Sequence, residues 1–464
     1  MERTSRRVLL GSLLLVPVAV AQEKTDSLVV HEWGTFTCLM DDDGTTLAGV
    51  NTEDEPLPRF VVRPLAQRHG NGLLIPPGDL APGFAKGASP CHPDVRMRLE
   101  TPVVYFHLPK GCASLELDLE VAWRGGWLSE FYPPGEATLP GSDEGPIGHL
   151  DPARSGTLAW RNVMVGGASD VPMLPCNDNV WLAPRRVSAA DVHVGGATER
   201  FLFYRGVGNV DAPLRVRRDK EGTDLTFAAA PGSVVPQMST GPCWLVEVDA
   251  ERGCAFRELA PLRLDSARKD EVAGRAHASF VANDFAAANL DRLRASMHRA
   301  LVEDGLFADE ADALLDTWRV SYFRTPGLRL FALLPQQWTD AVMPLRFSVP
   351  AQVDRVMVAR IELIRPAQRA ALARIAAGPV SDPGWFNGYL DRTLQKDPEH
   401  AAQAWQDLML RPGALTATPG LDLPEDYRAY LALGRFRNAL VLDAARFRPT
   451  KALNEFVERY GLSR

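Results

Sequence analysis

The sequence predicts an α+β fold, a β-rich, sandwich-like N-terminal domain over residues 22–265 followed by a helix-rich region with a few strands over 266–464. Two observations predict it. Leu115, Leu117, Leu119 and Val121 alternate with Glu116, Asp118 and Glu120, the period of two left by a strand with one buried and one wet face. After about residue 270 the apolar spacing turns helical. Leu290, Leu293, Met297 and Leu301 share one face of a segment that Asn283 can cap and Gly305 can end.

Residues 1–21, ahead of both regions, read as a signal peptide. Arg3, Arg6 and Arg7 precede an apolar run from Val8 to Val20, and Ala19-Val20-Ala21 supplies the small residues a signal peptidase needs. That run is 13 residues long, short of the roughly 20 that span a bilayer core. A soluble periplasmic or secreted protein is therefore expected, with no membrane span in the mature chain. Ser5-Arg6-Arg7-Val8-Leu9-Leu10 also fits the start of a twin-arginine signal, so the general secretory and twin-arginine routes both stay open.

Within the first region, short strands are expected at 28–38, 101–107, 127–132, 199–205, 213–217, 223–229, 243–248 and 254–259, separated by Gly/Pro punctuation. Two stretches, 76–93 and 133–152, read as long loops, the second holding five prolines and four glycines. Beyond the switch, helices are expected to about 303 and at 308–319, then strands at 328–334 and 353–364. Pro366 opens a further helix, and others follow at 398–410, 424–433, 435–446 and 449–460.

With 46% apolar and 23% charged residues, the chain can bury a sizeable core. Losing the three arginines and Glu2 of the signal takes the net charge from −7 to −9, which offers no broad attraction for nucleic acid. Six cysteines in an exported chain make disulfides plausible, and Cys243 with Cys254, flanking an expected hairpin, is the preferred bridge. There is no Cys-x-x-Cys, which removes support for a zinc ribbon, a thioredoxin-like pair or c-type haem attachment.

His31-Glu32-Trp33-Gly34-Thr35-Phe36-Thr37 resembles the opening of a family of exported proteins common in myxobacteria and planctomycetes. Met97-Arg98-Leu99-Glu100-Thr101-Pro102-Val103-Val104-Tyr105-Phe106, Ser129-Glu130-Phe131-Tyr132-Pro133 and Phe201-Leu202-Phe203-Tyr204-Arg205-Gly206 extend the likeness. The block from Trp318 through Pro344 carries it into the helical half. This resemblance implies export and brings with it neither a reaction nor catalytic residues.

The common catalytic signatures are absent. There is no Gly-x-Ser-x-Gly elbow, no phosphate loop and no His-Glu-x-x-His, because Thr35 stands where the second histidine would be. What remains is a set of carboxylates among aromatics: Glu32 beside Trp33, Glu100 ahead of Tyr105, and Glu130 beside Tyr132. Lost solvation raises the pKa of such an acid while a partner in a polar setting stays ionised, the pairing that glycosidic hydrolysis uses. On this reading Glu130 is the candidate acid, Glu32 the base or nucleophile and Glu100 a third carboxylate. His31, Trp33, Tyr132, Tyr204 and Arg205 would line a site for an extracytoplasmic polymer such as a carbohydrate, or for a small-molecule ligand. The alternative is a non-enzymatic, envelope-associated binding or interaction protein in which arginines such as Arg98 and Arg205 pair with those glutamates. His31 and His107 lack a second ligand at a diagnostic spacing, so no metal is expected. The sequence specifies neither a cofactor nor an oligomeric state.

N-terminal sequencing of the exported protein is expected to begin at Gln22, and an intact Met1 on cytoplasmic material would refute the signal.

Overall fold

The strand Val29–Met40 is buried along its whole length, which a run of β-branched and aromatic residues achieves when both sheet faces are covered. It is identified in a computed structural model that describes residues 27–51, 57–65, 88, 91–268, 271–385 and 423–462. The signal segment, most of the loop expected at 76–93 and the helix expected at 398–410 lie outside these residues. Val29–Met40 pairs in parallel with Gln352–Leu363 and antiparallel with Met97–His107. These strands lie at the middle of an eight-stranded sheet. Its order is Gly253–Leu259, Cys243–Asp249, Gly327–Leu334, Gln352–Leu363, Val29–Met40, Met97–His107, Leu202–Gly208 and Gly126–Tyr132.

A six-stranded sheet built around Ser114–Arg124 and Ser155–Gly166 covers one face. Leu117, Leu119, Val121 and Trp123 point from it into a core shared with Val30, Phe36, Val104 and Tyr204 of the large sheet. Glu116, Asp118 and Glu120 face outward, as the alternation predicts. Helices cover the opposite face. Asn289–Glu303 and Ala308–Thr317 pack at one end against Trp33, Tyr105, Phe203 and Val356. At the other end Pro366–Ala377, Glu425–Ala432, Arg437–Phe447 and Lys451–Arg459 gather around Leu39 and Val207. The chain is thus α+β, with a sandwich backed by helices.

Three expectations change. The sheet takes Gly327–Leu334 and Gln352–Leu363 from beyond residue 265, so its centre lies across the boundary expected there. Asn283 falls in a 3-10 turn, Ala282–Asp284, and the helix begins at Asn289. Asp284 instead accepts from the Val281 N–H and from Arg257. No disulfide joins Cys243 and Cys254, which lie opposite Leu259 and Val248 near the two ends of their hairpin and face different cores. Burial pushes each of these thiols up to about 11. Among the described residues no helix is long and apolar enough to cross a membrane.

Arg268 is 69% exposed on the stretch between the expected regions, so trypsin should cut the folded protein there. Because two central strands come from the later fragment, the nicked protein is expected to run as one species in gel filtration and to separate only on denaturation. Separation into two folded pieces would show that the sheet does not unite the halves.

Candidate functional site

Successive strand residues point to opposite faces of a sheet, and this decides where the motif carboxylates go. Tyr204 donates its hydroxyl to Glu32 on the face covered by the second sheet. Arg205, the next residue, reaches Glu130 on the helix-covered face. Glu32 and Glu130 therefore lie on opposite sides of the same sheet, and no cleft can hold both.

Each is also buried and paired. Glu32 is 1% exposed and accepts from Arg355 Nε at 2.6 Å. Arg355 stands directly across the parallel ladder and also binds Asp340 at 2.9 Å and the Met343 carbonyl at 2.6 Å. Burial works against its charge, but Glu32, Tyr204 and Asp340 hold the guanidinium above its ordinary pKa. The Tyr204 hydroxyl is pushed well up, first by burial and then by the Glu32 charge. Glu130 is held by Arg205 and by Arg63 at 2.9 Å, and Glu100 by Arg98. Arg98 lies over the Phe436 ring on the helix side. Glu362 extends this ionic layer by taking Arg329 at 3.1 Å and Arg360 at 2.8 Å.

The aromatic candidates belong to the core. Trp33 packs near Tyr105, and Tyr132 lies among Phe60 and Trp181. Neither offers a face to a sugar. The paired-carboxylate cleft expected from the sequence is not formed by Glu32, Glu130 and Glu100, because burial and arginine pairing commit each of them to the fold.

The structure instead gathers a set of residues that only partly stood out in the sequence. His31 and His107 sit diagonally on neighbouring strands of the helix-covered face, where His31 opposes Tyr105 and His107 opposes Val29. Their ring centroids are 5.1 Å apart. Glu310, fully buried in the first turn of Ala308–Thr317, presents one oxygen to each ring. Its Oε2 lies 2.6 Å from His31 Nδ1 and its Oε1 2.9 Å from His107 Nε2. The Phe307 N–H donates to Oε2 at 2.8 Å, so the carboxylate reaches back to satisfy the residue that precedes its helix, and the Phe307 ring lies against both imidazoles. Burial opposes the Glu310 charge, yet hydrogen bonds from His107 and His31 outweigh it and hold the carboxyl below its usual pKa. On the far side of His31, Asp354 Oδ2 stands 3.6 Å from Nε2. Glu310 and Asp354 were legible only as polar residues of a helix start and of a strand.

No protein-family model matches the chain, and no curated protein matches it. Among solved structures it overlaps the Fcho1 Mu homology domain of Danio rerio with bound Eps15 peptide at 8% identity and a TM-score of 0.26, covering 74% of this chain and 96% of that one. The yeast delta-COP-I mu-homology domain complexed with Dsl1 WxWxV peptide gives 7% identity and a TM-score of 0.26, covering 74% of this chain and 100% of that one. Overlap that low carries no argument about this chain.

Glu32→Gln leaves the buried Arg355 with only the half-exposed Asp340 as a charge partner, so thermal and denaturant unfolding should show a loss on the order of 3 kcal/mol. Glu130→Gln should also melt well below the parent. Parent-like melting of both variants would return these residues to the list of functional carboxylates.

Proposed function

We propose that the chain is an exported, soluble binding or interaction protein of the cell envelope, related to the exported family its opening motif resembles. It would not be a hydrolase working through paired motif carboxylates. The observation that carries this reading is the commitment of Glu32, Glu100 and Glu130 to buried arginine pairs, with Glu32 on the other side of the sheet from Glu130. Two-carboxylate glycosidic hydrolysis needs its carboxyl groups about 5 to 10 Å apart across a space that admits a sugar and a water. A proton exchanged with a substrate at any of these carboxylates would take from a buried arginine its buried charge partner, a costly step for residues that hold the sheet together. The aromatic neighbours, enclosed in the core, support the same reading.

The test incubates the purified mature protein with insoluble peptidoglycan and with extracellular polysaccharide. Retention of the protein in the pellet and release of reducing ends are both measured. Retention on one of these polymers without release is expected. Release of reducing ends that disappears in Glu130→Gln or Glu32→Gln while the melting temperature holds would overturn the reading. Failure to be retained on either polymer would overturn the envelope-binding reading.

A further inference from the structure

Six glutamates are buried among the described residues: Glu32, Glu100, Glu130, Glu199, Glu310 and Glu362. Five take an arginine, at Arg355, Arg98, Arg205, Arg185 and Arg329 respectively for Glu32, Glu100, Glu130, Glu199 and Glu362. Glu310 alone is flanked by two imidazoles. We propose that His31 Nδ1, His107 Nε2 and the Glu310 carboxylate bind a divalent, zinc-like transition-metal ion, with the fourth position left to water or a small ligand.

Four observations converge on this assignment. The three donor atoms all lie within 4.8 Å of one another, and tetrahedral zinc at its usual bond lengths separates donors by about 3.4 Å. Small side-chain rotations bring the set onto one ion. Two histidines and a glutamate are also a recognised three-ligand zinc set that keeps a position open. Histidine ligands are neutral, so Glu310 and the nearby Asp354 leave two negative charges at the site, and a divalent cation balances them. Finally, the ring nitrogen of His31 that faces away from Glu310 lies 3.6 Å from Asp354 Oδ2, just beyond hydrogen-bond length and beside an oxygen that also accepts from Gln352 Nε2, and a carboxylate drawn onto that nitrogen orients a metal-bound imidazole. Asp354 is thus a positioning residue.

The backbone builds the site from four elements, three strands and a helix. His31 and Asp354 are direct partners across the parallel ladder, and His107 comes from the antiparallel neighbour. The turn at Gly305, with φ of +118°, brings the helix bearing Glu310 over them and passes close beside Asp354. Phe307 closes the site on one side. His107 is 12% exposed and Asp354 34%, so these two side chains reach solvent on the other.

The inference is independent of the envelope-binding reading, since it concerns metal affinity measured without any polymer. The mature full-length protein, stripped with chelator and dialysed, is titrated with zinc chloride by calorimetry and with cobalt(II) by visible absorption. One equivalent of zinc per chain, a raised melting temperature and the visible bands of four-coordinate cobalt are expected. Asp354→Asn keeps all three donors and should weaken zinc binding about 10- to 100-fold, while His107→Gln and Glu310→Gln each remove a ligand and should weaken it further. Should either of the latter fail to fold, Asp354→Asn and the parent cobalt spectrum decide. A folded parent that binds neither metal, or parent-like zinc affinity in the folded variants, overturns the assignment and leaves a hydrogen-bonded clamp.

Discussion

The ion pair between Glu32 and Arg355 sets the frame of the molecule. The two residues stand opposite one another on parallel strands that are 323 residues apart in sequence, and both are almost fully enclosed. A parallel pair has no hairpin to fix its register, so register must come from side chains. A slip by one residue would drive Glu32 to the helix side and His31 to the sandwich side, leaving a buried charge unmatched on each. Tyr204, Asp340 and the Met343 carbonyl complete the shell around the pair. The strand Leu202–Gly208, two places along the sheet from Val29–Met40, and the Gln336–Val342 helix are thereby registered by the same contact.

On the opposite face, polar groups divide two apolar clusters. Arg329 donates to the carbonyls of Ser321, Tyr322 and Thr325, the end of a short helix, and pairs with Glu362. Arg98 lies over Phe436 in the C-terminal helices. Burial pulls the Arg329 guanidinium down to about 10 even with its carboxylate partner present. A layer of this kind adds little net stability over an apolar one but penalises misplacement of any member heavily.

The sequence made the architecture readable wherever one face of a strand is wet. Ser114–Arg124 showed its alternation in full, and so did the helix face of Leu293, Met297 and Leu301. The neighbouring strand Ser155–Gly166 did not. Arg161 and Asn162 are both exposed at a register shift, with Asn162 at a φ of 52°, so Leu158 and Trp160 are out of phase with Val163 and Val165. A bulge of this sort erases a period-two signal. The motif glutamates stood out because a carboxylate among aromatics looks alike in sequence whether it serves chemistry or a buried ion pair. Only the alternate sides taken by Tyr204 and Arg205 tell the two apart. His31 was visible as a histidine, but its partners His107, Glu310 and Asp354 come from a neighbouring strand, a helix and a parallel strand far along the chain. Spacing cannot reveal such a set.

The parallel pairing of Val29–Met40 with Gln352–Leu363 also dictates when this protein can take shape. As the chain leaves the ribosome, an early strand that is buried on both sides in the folded protein has one eventual neighbour available after about residue 107 and lacks the other until residue 363 has been made. Contacts so distant in sequence are formed late and slowly. For most of its synthesis the molecule therefore carries an open edge of the kind that invites misassociation, until its last quarter arrives to close the sheet.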